Sequence, residues 1–307
     1  MQTMERHPEM VIMGQDIAEY GGAFKVTEGF VEKFGKQRVR NTPICESAIV
    51  GAALGLSLEG IKSVMEMQFA DFVSVGFNQI VNNLAKIHYR WGQNADVVIR
   101  MPTGAGVGAG PFHSQSNEAW FTHVPGLKVV YPSNPADAKG LLIAALLDPN
   151  PVLFFEHKAL YRKLEGEVPD AYYQLPIGKA HFVSRGTEAT IITYGMGVIW
   201  ATNYQELHPE ISLTIVDLRS LAPLDYDTIA EAVASTGKVL VLHEDNLTGG
   251  IGADIAAYIG EHCFQQLDAP VMRCASLDTP IPFNMELEKQ YLANSRLEEQ
   301  MKKLLSY

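Results

Sequence analysis

The chain has 307 residues, of which 47% are hydrophobic and 19% charged, a profile that excludes a disordered protein and gives material for a large core. At about 100–200 residues per domain, two domains fit. The formal net charge is −11 and no basic stripe interrupts it, which argues against nucleic acid as a partner. No stretch approaches the ~18 continuous apolar residues of a membrane span. Residues 1–8 carry neither a signal-peptide core nor an Arg/Ser-rich transit pattern. The three cysteines, Cys45, Cys263 and Cys274, form no C-x-x-C pair, so neither a zinc site nor a disulfide framework is indicated. The expected setting is a reducing compartment: the cytoplasm of a bacterium, with the mitochondrial matrix as the alternative.

Short β-branched runs alternate with longer helical patterns along the chain. Strands are expected at 10–13, 63–67, 97–101, 128–131 and 152–155, and helices at 48–58, 72–89 and 135–147. A second series places strands at 189–194, 212–216, 238–242 and 271–274, with helices at 198–207, 226–234 and 252–266. Continuous apolar strands separated by helices predict an α/β protein of two doubly wound, mainly parallel domains. The stretch 162–176, rich in acids, prolines and tyrosines, lacks periodicity and reads as a linker. The expected division is 1–165, a linker at 166–180, and 181–307.

Four segments carry chemical interest. Glu46 follows Asn41-Thr42-Pro43-Ile44-Cys45 and opens an apolar helix. An acid there complements the helix dipole, and it also points back at the loop before it. Within that helix Ala48, Gly51, Ala52 and Gly55 form a stripe of small residues, suited either to packing on the chain's own sheet or to a helix of another subunit. The segment Glu66-Met67-Gln68-Phe69-Ala70-Asp71-Phe72 leaves a strand at the end where open α/β sheets bind ligands; its aromatics suit either a core or a flat heterocycle.

The glycine run Gly104–Gly110 satisfies G-x-G-x-x-A over its first six residues. A dinucleotide fingerprint must open a helix at once, yet here glycines continue and Pro111 intervenes, so that reading is rejected. A flexible loop that delivers His113 fits better, since loops on rigid scaffolds carry catalytic groups and His titrates near neutrality. The fourth segment, Gly249-Gly250-Ile251-Gly252, is either a tight turn or an anion site at a helix start.

Taken in order, these segments resemble the β subunit of the thiamine-diphosphate-dependent E1 component of 2-oxo acid dehydrogenase complexes. The likeness runs through Gly14-Gln15-Asp16-Ile17-Ala18, Gly21-Gly22, Thr42-Pro43-Ile44-Cys45-Glu46, Phe69-Ala70-Asp71-Phe72, His113-Ser114-Gln115-Ser116 and Glu118-Ala119. It continues through Pro125-Gly126-Leu127-Lys128-Val129-Val130, Ala138-Lys139-Gly140-Leu141-Leu142, Leu160-Tyr161-Arg162, Asp217-Leu218-Arg219 and Asp278-Thr279-Pro280. The resemblance implies a pyrimidine-binding thiamine-diphosphate fold followed by a transketolase C-terminal-like domain.

It implies that Glu46 hydrogen-bonds pyrimidine N1′ of thiamine diphosphate and favours the imino tautomer that deprotonates C2. It implies that Ile44 and Phe72 line the pyrimidine pocket, and that His113 aids proton transfer as the acyl group passes to lipoyl-lysine. It further implies a potassium ion held largely by backbone carbonyls at Ala95, Val97, Val98, Ala145, Asp148 and Asn150.

Three departures stand out. Phe72 replaces a Tyr frequent in branched-chain members, and His157 replaces a Pro. The chain starts too close to Met10 for a helix before the first strand, as a shortened chain or the second half of an α–β fusion would. No Gly-Asp-Gly motif is present to hold Mg²⁺ and diphosphate. The chain therefore resembles half of a split site. The implied partners are an E1 α subunit or fused α half carrying Mg²⁺, a second β copy, and a lipoyl-bearing E2 docked on the second domain. Branched-chain 2-oxo acids are the favoured substrate class, with pyruvate or acetoin as alternatives. A non-catalytic assembly subunit is the rival of another kind; the retained Glu46 and His113 argue against it.

Overall fold

The computed structural model describes residues 1–307. The first half supplies strands β1 (Val11–Gly14), β2 (Val39–Asn41), β3 (Ser63–Glu66), β4 (Val97–Thr103), β5 (Lys128–Val130) and β6 (Val152–His157). The second half supplies β7 (His181–Ser184), β8 (Ala189–Thr193), β9 (Leu213–Asp217), β10 (Ser220–Ala222), β11 (Val239–Asn246) and β12 (Met272–Ser276). Two sheets result, ordered β10-β5-β6-β4-β3-β1-β2 and β12-β11-β8-β9-β7.

Pairing is parallel throughout except at β10 and β7, which run antiparallel at sheet edges. Residues of β1, β3, β4, β8 and β9 are buried without alternation, as strands covered on both faces must be. Helices Glu46–Leu58 and Pro135–Leu147 cover the first sheet. Met196–Leu207, Tyr226–Thr236, Gly252–His262 and Asn294–Leu305 cover the second.

Several sequence expectations need correction. The region 72–89 is not one helix. It divides into a 3₁₀ segment Ala70–Gly76, a π segment Gln79–Leu84 and a short helix Ile87–Trp91. Valines, Gly76 and three asparagines lower helix propensity here. The wide turn is recorded by Ala85 N–H bonding Ile80 O, an i→i+5 contact of 2.9 Å. A one-turn helix, Gln2–Arg6, does precede β1 and buries its own Thr3 and Met4. The helix expected at 252–266 ends at His262 and continues as a 3₁₀ turn, Phe264–Gln266. The small-residue stripe is not packed on the chain's own sheet: Ala48, Ala52 and Gly55 are exposed, while Ile49, Val50 and Ala53 face inward. At Gly250 a Cβ would lie 2.4 Å from Asn246 O, so the tight-turn reading of that glycine cluster accounts for it.

The two sheets share a buried seam. β10 leaves the second half to join the edge of the first sheet beside β5. Just before it, Arg219, with φ 57°, forks onto Asp137 at the start of helix Pro135–Leu147, with Nε–Oδ2 at 2.6 Å and Nη2–Oδ1 at 2.8 Å. Tyr131 of the first half packs at a tilt against Tyr194 of the second, at 5.3 Å between ring centroids. Tyr194 donates its hydroxyl to Glu118 Oε1 at 2.7 Å. Burial, helped by the nearby Asp245, pushes the Glu118 carboxyl up to about 8. At the end of β11, Glu244 accepts from Ala105 N–H at 2.6 Å and pairs His157 Nε2 at 2.7 Å.

Two outcomes are expected of this seam. Arg219→Met strands a largely buried Asp137 carboxylate and should cost about 3 kcal/mol, read from the denaturant midpoint; a loss well below 1 kcal/mol would show the fork to be dispensable. Glu118 titrates higher in the fold than its ordinary 4.5, so its contribution is complete below about pH 4.5 and is lost as pH rises through about 8. Thermal midpoints should therefore decline between about pH 6 and about pH 8, and Glu118→Gln should flatten that decline. An unchanged slope would place the titration elsewhere.

Candidate active site

The carboxyl ends of β1, β3 and β4 lie side by side, which is where an open parallel sheet presents its loops to ligand. Glu46 is the first residue of helix Glu46–Leu58, because Pro43 keeps the preceding segment extended. It is only 4% exposed, yet its one side-chain hydrogen bond comes from Gln15 Nε2 at a long 3.3 Å. A nearly buried carboxylate with one weak protein partner is a group with capacity left for a ligand. Gln15 Oε1 and Thr42 Oγ1, on the neighbouring β1 and β2 exits, are buried and also lack partners. Ile44, two residues upstream, is 81% exposed, so anything it lines must be closed from outside the chain.

Gly76 carries the chain close under this helix: a Cβ there would lie 3.2 Å from Val50 and 3.6 Å from Glu46 O. The same 3₁₀ segment holds Phe72. His113 sits edge-on to both Phe72 and Phe69, at 5.6 and 4.9 Å between centroids. The structure thus brings Phe72 and His113 together and links both to the start of the Glu46 helix.

The position of His113 is fixed from its downstream side by Asp71, whose Oδ1 accepts from Gln115 N–H and Nε2, both at 3.0 Å. Asn117 Nδ2 donates to Ala70 O at 2.9 Å in the same clasp. Asp71 Oδ2 is buried and unpartnered.

Behind the aromatic cluster lies a charged group that sequence reading passed over. Arg100 in β4 is buried and donates Nη1 to Glu66 Oε2 at 2.5 Å and Nε to Glu156 Oε1 at 2.9 Å. Tyr161 adds its hydroxyl to Glu156 at 2.6 Å. Burial raises the Glu66 carboxyl above its ordinary range against the pull of Arg100. The available signal was charge inside otherwise apolar strands: Glu66, Arg100 and Glu156 all fall on adjacent parallel strands. Arg100, Glu156 and Tyr161 border a cavity of about 260 Å³ shared with Ser133, Leu160 and Leu164.

Ala95, Val97, Val98, Ala145, Asp148 and Asn150 gather at the opposite, amino end of β4 and β6. Asp148 there already pairs the Lys128 ammonium and accepts from Asn150 N–H at 2.9 Å. Ala95 O and Ala145 O accept from Val97 and Asp148 N–H at 2.8 and 3.2 Å, leaving each carbonyl a second lone pair. No group of three or more His, Cys, Asp or Glu side chains is placed to hold a metal. No helix is long and apolar enough to cross a membrane.

Comparison with known proteins gives this geometry its setting. Residues 1–163 match the family described as transketolase, pyrimidine binding domain, and residues 178–296 match transketolase, C-terminal domain. The chain is 46% identical to the 2-oxoisovalerate dehydrogenase subunit beta of Bacillus subtilis, over all of this chain and 95% of that one. It is 44% identical to the mitochondrial 2-oxoisovalerate dehydrogenase subunit beta of Dictyostelium discoideum, over 92% and 78% of the two chains. It is 42% identical to the pyruvate dehydrogenase E1 component subunit beta of Staurastrum punctulatum, over 94% and 89%. A solved structure titled split gene transketolase, inactive beta4 tetramer, superposes with a TM-score of 0.82 at 22% identity, over 99% of this chain and 95% of that one, and shows the shared fold. With its two transketolase-type domains and relatives matched over nearly their full length, the chain belongs to the family of β subunits of the thiamine-diphosphate-dependent E1 component of 2-oxo acid dehydrogenases.

Proposed function

We propose that this chain supplies the pyrimidine half of a thiamine diphosphate site that decarboxylates a branched-chain 2-oxo acid and passes the acyl group to a lipoyl-bearing E2. The observation that carries the reading is Glu46: a helix-opening carboxylate, 4% exposed, with a single 3.3 Å bond inside the chain. Bound thiamine diphosphate supplies the electron sink that lets a 2-oxo acid lose CO₂, which no amino-acid side chain provides.

The chain's own residues hold and orient. Glu46 shares a proton with pyrimidine N1′, and Gln15 steadies its carboxylate from β1. Phe72, with Phe69 beside it, closes one wall and keeps water from the reacting centre. Ile44 forms part of the opposite wall once a partner covers it. His113, an imidazole between two aromatic edges, moves a proton as the lipoyl thiol takes the acyl group.

The diphosphate needs Mg²⁺ and oxygen ligands that this chain lacks in motif form, so the reading assigns both to an α subunit or fused α half. The exposed stripe Ala48, Ala52 and Gly55 suits close approach of a second β copy. The proposed division remains 1–165, a linker at 166–180 and 181–307, with E2 docking on the second unit. Pyruvate is the alternative substrate, favoured by the relative that bears its name.

Decarboxylation assayed with thiamine diphosphate and Mg²⁺, with and without a cognate α partner, checks this reading. Activity should need the partner, and Glu46→Gln should lower turnover by about 10²–10⁴-fold without changing the thermal midpoint much. Full activity in Glu46→Gln would remove that residue from the chemistry. Strong activity of the chain alone would remove the split site. For potassium at Ala95, Val97, Val98, Ala145, Asp148 and Asn150, the thermal midpoint should rise in potassium over sodium at equal ionic strength. Equal midpoints would leave the Lys128 ammonium as the cation of that corner.

A further inference from the structure

The glycine loop before His113 is held from the second domain by a device that catalysis by His113 does not itself require. Gly104, Gly106, Gly108 and Gly110 all have positive φ, from 69° to 90°, while Ala109 between two of them is right-handed. Left-handed residues at every second position turn N–H groups toward one side and form a nest for an anion. The anion is a side chain of this protein. Glu288, 2% exposed, accepts from Gly106 N–H at 3.1 Å and from Gly108 N–H at 3.1 and 3.3 Å.

Neighbouring contacts leave the loop little freedom. Ala105 N–H is on Glu244, and Lys158 Nζ donates to Gly104 O at 2.6 Å. A Cβ at Gly110 would lie 2.3 Å from the Phe283 ring, and one at Gly108 would lie 3.3 Å from Met285. The segment 283–288 is therefore a plate on which the loop rests. His113 N–H closes onto Gly110 O at 3.3 Å, so the histidine leaves the loop directly where the plate ends. Downstream, Asp71 holds Gln115 from the first domain. The ring is thus set between two anchors, one on each domain.

We propose that Glu288 is a positioning residue for acyl transfer: by filling the nest of Gly106 and Gly108 it fixes the loop that aims His113, and so ties the second domain to the lipoyl half-reaction. The proposal rests on the reading of His113 given above. It predicts a larger effect on that half-reaction than on decarboxylation, because the nest holds the His113 loop directly, whereas Glu46 and Phe72 hang from the helix Glu46–Leu58 and the 3₁₀ segment Ala70–Gly76.

The test uses the assembled enzyme with its α partner and lipoyl-bearing E2. Decarboxylation is followed with a dichlorophenolindophenol-type dye as electron acceptor, and acyl transfer is followed by acylation of the lipoyl domain. Glu288→Gln keeps the shape but offers an NH₂ where the nest presents donors. It should slow lipoyl acylation about 10-fold or more while dye-linked decarboxylation stays within about twofold, since small misplacements of a reacting group cost up to about 10²-fold. Glu288→Asp, which keeps the charge, should recover part of the loss. In a His113→Ala background Glu288→Gln should add nothing further. Equal losses in both half-reactions, additive losses in the double variant, or normal acylation in Glu288→Gln would each overturn the positioning role while leaving the His113 reading standing. A His113→Ala enzyme with normal acylation would overturn that reading and the proposal with it. Thermal unfolding of each variant separates misfolding from misplacement, and Glu288→Ala serves as a second variant if the glutamine chain is unstable.

Discussion

Glu244 stands where the two sheets meet, and one buried carboxylate there satisfies three groups of the first domain: Ala105 N–H, the Ser116 hydroxyl and the His157 ring. Burial alone would push its proton affinity up, but His157 and these donors outweigh that, and the group titrates below the ordinary range. An ion held in this way is costly to leave unpaired, so the arrangement of its partners is strongly specified. Those partners are the beginning of the glycine loop, the residue after the His113–Gln115 turn, and the end of β6. The loop that bears the candidate histidine is therefore shaped by a residue of the other domain. The adjoining charges follow the same logic. Lys158, beside His157, is pulled down to about 8 by burial, yet it still finds Gly104 O as an acceptor.

The candidate site divides between rigid and adjustable parts. Glu46 and Arg100 sit on a helix start and a central strand, whose positions the sheet determines. Phe72 sits on a 3₁₀ segment and His113 on a loop; Asp71 and Asn117 clasp the two together, and the glycine nest sets the loop's other end. A site built so keeps Glu46 fixed by the sheet while small changes in the loops move His113. Ile44, between the end of β2 and the Glu46 helix, stays 81% exposed beside this fixed part.

Much of the fold was legible because its signals were local. Helix Pro135–Leu147 has the bounds its sequence announces, since Asn134 caps it through Asp137 N–H and Pro135 fits the first turn. The central strands were legible as uninterrupted apolar runs. The edge strands β2, β7 and β10 were not, because three or four residues are too few for a period to stand out. The region 72–89 misled because its apolar spacing suits a helix while Gly76 and the asparagines do not sustain one. Glu46 and His113 came from motif order. The residues that set the His113 loop could not, since Glu288 meets Gly106 across 182 residues of sequence and Glu244 meets Ala105 across 139. Nothing near Glu288 in the chain distinguishes it from the exposed Glu286 two residues earlier.

Strand β10 has a consequence for how such proteins can be divided. It belongs by sequence to the second half but completes the first sheet, lying antiparallel on β5 with Ser220 opposite Val130 and Ala222 opposite Val129. A fragment cut in the tyrosine- and proline-rich connector would lose that strand and expose the hydrogen-bonding edge of β5, a ready template for pairing with a foreign chain. Exchange of modules between relatives, whether by recombination or by design, is therefore constrained to junctions that carry residues 220–222 along with the first sheet.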